Sequence, residues 1–395
     1  MVVPRSCILA PVGSRAHLVT SPDRTAPRSG RRRAFLVGVS LSGQAPHTAA
    51  DHLEELAALA DSAGVEVVDE AIQSRKAPDP RLFIGQGKAE TIGAEIAACG
   101  ADLALFDDDL TGSQIKNLEE ALKVQVMDRS GLILEIFEQR ARSREARTQV
   151  ELARLQYLLP RLTRRWRHLS RQVGGIGQRG GEGETQLEAD RRILKRRIAQ
   201  LARDLEAIER MRRVQRRGRR DVPVVALAGY TNAGKSTLFN RLTHDATLAE
   251  NRLFATLDSR LRRGALGPEG PVVVFVDTVG FIRKLPHHLV ASFRSTLEEV
   301  VEADLVLHVV DRSHAGWEEQ QAIAEQVLSD LGVPPEQVLL VHNKCDRLSG
   351  EPSGSDALAL SALTGEGLDE LRAAIAGRLR RSGRPERAAA AARGR

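Results

Sequence analysis

The chain has 395 residues, enough for two or three domains, and 42% of them are apolar, so sizeable cores can be buried. No apolar run approaches the roughly 20 residues of a membrane helix. The N-terminus lacks the apolar core of a secretory signal, and the three cysteines (Cys7, Cys99, Cys345) lie too far apart to suggest a disulfide framework or a zinc site. The net charge of +6 conceals a segregation: +6 over residues 1–33, −11 over 34–137, +14 over 138–220, −9 over 221–376 and +6 over 377–395.

Residues 1–33 mix Pro, Gly, Ser and Arg without periodicity and are expected to form a disordered basic tail. Their acid-poor, Arg/Ser-rich make-up also suits an organellar transit peptide, which would place the protein in an organellar matrix. The whole chain uses 50 Arg to 8 Lys, so a compositional bias is the simpler reading, and a cytoplasmic protein is expected. Ala34–Val39 predicts a strand, and 48–63 a helix with Leu53, Leu56, Leu59 and Ala60 at helical spacing. Val65–Val68 predicts a strand, Gly85-Gln86-Gly87-Lys88 a turn before a helix over 88–98, and Leu103–Phe106 a further strand. A helix over 111–122 and a strand over Val124–Met127 complete an α/β domain with a mainly parallel sheet over 34–137. The acidic run Asp107-Asp108-Asp109 reads as a solvated loop rather than a metal site.

Residues 132–172 predict one long helical region, with Pro160 as the place where it would break, and 186–217 predicts another. Leu187, Ile193, Leu194, Ile198, Leu201, Leu205 and Ile208 follow the three- and four-residue spacings of a coiled coil. Between the two lie residues 174–183, with six glycines in ten positions. A coiled-coil-like helical hairpin with a Gly-rich loop is therefore expected over 138–220, projecting from the body. Its arginines suit RNA phosphates, and a side-chain-poor tip suits a crowded nucleic-acid cavity. The alternative is a solvated charged face, since ten acids are interleaved. Gly175-Ile176-Gly177-Gln178-Arg179-Gly180 matches a dinucleotide fingerprint, but it follows the basic stretch 166–171 rather than a buried strand, so that reading fails.

Apolar strands at Val224–Ala228, Val272–Val276, Leu305–Val310, Val338–Val341 and Ala357–Leu360 alternate with helices over 236–243, 288–302, 316–331 and 367–380. This predicts a C-terminal doubly wound α/β domain over 221–380, followed by a disordered basic tail over 381–395. Gly229-Tyr230-Thr231-Asn232-Ala233-Gly234-Lys235-Ser236, with Thr237 after it, follows a strand and opens a helix, as a phosphate-binding loop must. Its backbone N–H groups and helix N-terminus would cradle phosphates. Lys235 would reach the β- and γ-phosphates, and Ser236 would ligate Mg²⁺. Asp277 in Asp277-Thr278-Val279-Gly280 would hold a Mg²⁺-bound water, and the Gly280 N–H would meet the γ-phosphate. Thr256, in Phe254-Ala255-Thr256, reads as the switch threonine on Mg²⁺.

Asn343-Lys344-Cys345-Asp346 offers a carboxylate for the two donors of guanine, which adenine lacks, and the backbone of Ser361-Ala362-Leu363 would meet guanine O6. A P-loop GTPase domain follows, with Lys235, Thr256 and Gly280 as the catalytic set and Mg²⁺ held by Ser236, Thr256 and Asp277. Phe281 stands where many such enzymes carry a water-orienting Gln. Slow turnover is expected, with a partner completing the site, unless another group of the chain positions the water. Asn232 is similar to the residue of GTPases that bind K⁺ beside the phosphates.

Three further stretches carry a specific resemblance. Gly174–Gly177 through Gly183-Glu184-Thr185-Gln186-Leu187-Glu188 and Asp190-Arg191-Arg192 is similar to the signature of the HflX family of GTPases. So are Asp128–Phe137 with Gln149-Val150-Glu151-Leu152-Ala153, and Phe83-Ile84-Gly85-Gln86-Gly87-Lys88. Here Gly181-Glu182 intervenes before Gly183-Glu184, where the family pattern is usually shorter. The resemblance implies binding to the large ribosomal subunit, with Gly175, Gly177, Arg179 and Gly180 of the loop touching its RNA near the peptidyl-transferase region. It implies that the GTP form splits stalled or idle ribosomes under stress, and that the subunit stimulates hydrolysis. Some members are reported to bind ATP through the N-terminal domain; Gly85–Lys88 alone is not a phosphate loop. A monomer is expected. The competing readings are an RNA-binding assembly or remodelling GTPase, and a signalling GTPase with a protein partner.

Overall fold

A computed structural model of the chain describes residues 31–42, 48–162, 183–217, 222–245, 253–268, 270–284, 294–348 and 357–381. The N-terminal sheet is four-stranded and parallel, in the order β2-β1-β3-β4: β1 Arg33–Leu41, β2 Glu66–Arg75, β3 Leu103–Phe106 and β4 Gln125–Asp128. Its helices are α1 Thr48–Ser62, α2 Gln86–Cys99 and α3 Gly112–Leu122. Alternate residues of a strand face opposite sides. Ala34, Leu36, Leu103 and Leu105 accordingly meet Leu53, Leu56 and Leu59 of α1. Phe35, Val37, Ala104 and Phe106 meet Ile92 and Ile96 of α2 and Leu118 of α3 on the other side. β2 runs for ten residues, well beyond the expected Val65–Val68. As an edge strand it keeps Glu66, Asp69 and Glu70 in water, and polar edges escape a reading based on apolar runs.

The expected single helix over 132–172 is corrected. Helix α4 spans Arg129–Arg140 and α5 spans Arg144–Leu158. The chain turns at Ala141–Ser143, and the Ser143 hydroxyl caps α5 by accepting the Ala146 N–H at 3.0 Å. Pro160 lies in a short 3₁₀ turn at the far end. The long helix α6, Gly183–Arg217, packs on α5 through Leu152, Leu201 and Leu205, flanked by the Arg197–Glu151 pair at 2.7 Å. Arg212 of α6 also reaches Glu145 of α5 at 2.8 Å. The Gly-rich loop, with Gly175, Gly177, Arg179 and Gly180, lies outside the described residues.

The C-terminal sheet is six-stranded, in the order β10-β9-β8-β5-β7-β6. Its strands are β5 Val224–Ala228, β6 Arg260–Ala265, β7 Val272–Asp277, β8 Leu305–Asp311, β9 Val338–Asn343 and β10 Leu358–Ala359. Only β6 pairs antiparallel. Helices α7 Lys235–Thr243, α8 Arg294–Val301, α9 Trp317–Asp330 and α10 Leu368–Arg381 alternate with the strands. The order reverses at β5, so the loop after β5 sits at the switch point of the sheet, where open α/β folds bind ligands. The two sheets share one apolar core: the α1 and α4 face is continuous with Phe254, Val276, Phe281, Leu297 and Val300. Among the described residues, no helix is long and apolar enough to cross a membrane.

Candidate functional site

The loop between β5 and α7 approaches its neighbours so closely that two of its glycines are obligatory. A Cβ on Gly229 (φ 141°) would lie 2.2 Å from the Val309 carbonyl oxygen of β8, and one on Gly234 (φ 92°) 2.2 Å from Asn343 Nδ2. Asn343 ties three loops together. Its amide donates to the Ala233 carbonyl at 2.8 Å, and its oxygen accepts the Ala362 N–H at 2.9 Å. The five sequence segments expected to form a nucleotide site therefore converge on one cleft of about 330 Å³. Thr231, Asn232, Gly234, Lys235, Ser236 and Thr237 line it from the loop and α7, and Phe254, Ala255, Thr256 and Gly280 from the switch segments. Asn343, Lys344, Asp346, Ala362 and Leu363 line the end where a base would lie. Thr278 and Arg347 also line the cleft. Neither is singled out by the sequence motifs, although both sit beside residues that are.

Gly229, Tyr230, Ala233, Asp277 and Ser361 stand behind the wall. Of these, Asp277 reaches the cleft through its neighbours. Its Oδ2 accepts from Ser236 Oγ at 2.7 Å and from Thr256 Oγ1 at 3.0 Å, and the two hydroxyls are 3.0 Å apart. The Oδ1 atom is buried with no hydrogen-bond partner, and burial raises the pKa of this carboxyl group. Three hard oxygen donors around an unsatisfied buried carboxylate oxygen suit a small divalent cation. Lys235 Nζ folds back onto the carbonyls of Tyr230 at 2.6 Å and Gly229 at 3.1 Å. Burial lowers its pKa to about 8, against the opposing pull of Asp277. Lys344 is held by Asp311 at 2.7 Å, which fixes the loop carrying the exposed Asp346.

Phe281 is buried and its ring joins the shared core. Its backbone forms a parallel bridge with Tyr230: Thr231 N–H donates to the Phe281 carbonyl at 2.7 Å, and Phe281 N–H to the Gly229 carbonyl at 3.0 Å. The segment after Gly280 is thus stitched to the phosphate loop by its backbone, with its side chain turned away from the cleft.

Both switch segments also rest on the N-terminal half. Leu253 N–H donates to Ser62 Oγ at 3.1 Å, and the Phe254 ring meets Phe137 edge-on at 4.7 Å. The Asp258 carboxylate accepts the N–H groups of Arg142 at 3.0 Å and Ser143 at 3.2 Å, and also the Ser143 hydroxyl. The acidic run at 107–109 is solvated only in part: Asp109 is exposed, but Asp107 is not. Asp107 is buried between Arg129 at 2.7 Å and Lys284 at 2.6 Å; Asp108 also pairs with Lys284, and Asp109 accepts from Ser130. Asp128 caps α4 through the Gly131 N–H at 2.9 Å and holds Tyr157 and Arg161 at the end of α5. No group of three or more His, Cys, Asp or Glu suited to a metal occurs among the described residues.

Comparison with known proteins agrees with this architecture. Residues 50–138 match the family described as GTP-binding GTPase N-terminal, residues 140–219 the GTP-binding GTPase middle region, and residues 224–344 the family described as 50S ribosome-binding GTPase. Proteins named GTPase HflX are similar over most of the chain. That of Magnetococcus marinus is 48% identical over 82% of this chain and 77% of its own. That of Caldanaerobacter subterraneus is 48% identical over 87% and 80%. That of Escherichia coli is 47% identical over 83% and 79%.

Proposed function

The chain belongs to the HflX family of GTPases, and from that premise we propose that it binds the large ribosomal subunit and, in its GTP form, splits stalled or idle ribosomes. The observation that carries this reading is the seat of the first switch segment on the start of α5, the root of the arm formed by α5 and α6. Thr256 lies in the cleft, and Asp258, two residues on, receives the N-terminus of α5. A nucleotide-dependent movement of Thr256 would therefore be felt at the root of the helices of the +14 segment over 138–220.

In this reading Lys235 leaves the carbonyls of Gly229 and Tyr230 for the β- and γ-phosphates. The backbone of residues 229–236 wraps the phosphates, and the Gly280 N–H meets the γ-phosphate. Ser236, Thr256 and Asp277 would hold Mg²⁺, which neutralises charge developing on the phosphate oxygens. Asn232, exposed at the mouth, is the residue through which K⁺ would join. Asp346 accepts the two guanine donors while Ala362 and Leu363 present backbone to O6. With the Phe281 ring turned into the core, no side chain at that position orients water, so the chain alone turns over slowly and the ribosome accelerates it. The loop over 174–183 enters the subunit, and Arg-rich α6 meets its phosphates.

The test is a subunit-dissociation assay. Purified intact ribosomes are incubated with GTP or a non-hydrolysable analogue and saturating protein, then separated by sedimentation. Free subunits are expected with the full chain and not with a variant lacking 174–183. Ribosomes that stay intact under both nucleotides would reject splitting, and binding without splitting would favour an assembly or remodelling role.

A further inference from the structure

Glu55 of α1 belongs to the N-terminal sheet and does not reach the nucleotide cleft. Its carboxylate nevertheless accepts hydrogen bonds from the Tyr230 hydroxyl of the phosphate loop and from Arg129. It also pairs with Arg283 at 3.5 Å. Tyr230 and Arg283 are themselves joined, because the Arg283 N–H donates to the Tyr230 hydroxyl at 2.9 Å. Between them runs the backbone bridge of Phe281 to the phosphate loop. Glu55 therefore grips the two segments that flank Gly280 in space.

The grip is stiff for a physical reason. Arg129, 2% exposed, spans Glu55 and Asp107, and Asp107 in turn holds Lys284. Glu55 and Asp107 bind Arg129, Arg283 and Lys284 in one block whose centre is largely removed from water, with Asp108 on Lys284 and Glu319 on Arg283 (3.6 Å) at its rim. The Tyr230 ring is buried and absent from the cleft wall, so its hydroxyl serves this block rather than the nucleotide. Gly280 itself is tightly confined: a Cβ there would lie 2.8 Å from Thr231 Cα and 2.9 Å from Lys235 Nζ.

We propose that Glu55 is a positioning residue for GTP: acting through Tyr230 and Arg283, it holds Gly280 at the place where its N–H meets the γ-phosphate. The N-terminal domain thereby completes a γ-phosphate contact that it never touches. This rests on the assignment of Gly280 to the γ-phosphate. GDP lacks that phosphate, so losing the grip weakens GTP selectively, whereas a merely structural role would weaken both nucleotides together.

The experiment measures the affinities of a non-hydrolysable GTP analogue and of GDP for the full chain and for Glu55→Gln, with thermal unfolding of each. The expected result is an analogue affinity lowered about tenfold, the scale of one charge-assisted hydrogen bond, with GDP affinity held within about twofold. Glu55→Gln leaves Arg129 and Arg283 under-compensated and can fail to fold. Tyr230→Phe removes a single hydroxyl and carries the same expectation, and the double variant should bind the analogue no worse than the weaker single one. Equal losses for both nucleotides, or no loss of analogue affinity in a folded variant, would overturn the proposal. Gly280→Ala separates the two levels. If it loses analogue binding while Glu55→Gln does not, the site assignment stands and the role of Glu55 falls. If Gly280→Ala keeps its preference for the analogue, the assignment itself is wrong.

Discussion

Asn343 and Asp346 sit three positions apart and do different work. Asn343 is 2% exposed, and both ends of its amide are used, one on the phosphate loop and one on the loop at Ala362. Replacing it with Ala leaves a buried carbonyl and a buried N–H unpaired, at about 1–3 kcal/mol each. Asn343→Ala is thus expected to weaken all guanine and xanthine nucleotides alike by about ten- to a hundredfold, and to lower the unfolding midpoint. Asp346 is exposed and makes no such staple, so Asp346→Asn should leave folding unchanged and alter choice instead. GDP should bind less well and xanthosine diphosphate better, measured by calorimetry. Unchanged GDP affinity in Asp346→Asn would remove the carboxylate from base recognition. Both residues are legible in the sequence as one motif, but their division of labour is not. It depends on Ala233 and Ala362, which are 110 and 19 residues away in the chain.

At the scale of elements, the informative place is the start of α5. Its first N–H groups need acceptors, and an anion there is favoured by the helix dipole. The turn at Ala141–Ser143 was missed because helical pattern flanks it on both sides, although residues 138–145 offer only Ala141 as an apolar position. The anion at this helix start, Asp258, comes from 115 residues downstream and leaves no local trace. The same limit hid the acidic run at 107–109, since its cations Arg129 and Lys284 arrive by folding. Most strands and helices of the two sheets were legible because each carries its own periodicity, as were the nucleotide motifs, because each is contiguous; the edge strand β6, three of whose six residues are arginine, carries no apolar run and was missed. Asp258→Ala should cost about 1 kcal/mol, a typical cap. Amide exchange should be faster in the first turn of α5 than in its middle. Uniform protection along α5 in this variant would mean that Asp258 does not hold the arm.

At the scale of the molecule, two sheets that could have been separate domains are joined by apolar contact as well as by charge. The Phe137–Phe254 pair, the packing of Phe281 and the Glu55–Arg129–Asp107 block lie on one continuous boundary. Domains with a small polar interface unfold independently, whereas a shared core makes them cooperative. A ligand that binds only the folded state adds RT ln(1 + [L]/Kd), about 2.7 kcal/mol at a hundred times its Kd. The cleft is lined only by residues of the C-terminal half, so the way this increment spreads reports the coupling. With saturating GDP, the slowest-exchanging amides of β1 and β3 should gain protection comparable to those of β5 and β8. Phe254→Ala removes a ring from the boundary at about 3–5 kcal/mol. It should confine the gain to the C-terminal sheet and split a single calorimetric transition into two. If β1 and β3 gain nothing from GDP in the unaltered chain, the halves open separately, and the N-terminal sheet cannot sense the nucleotide through this boundary.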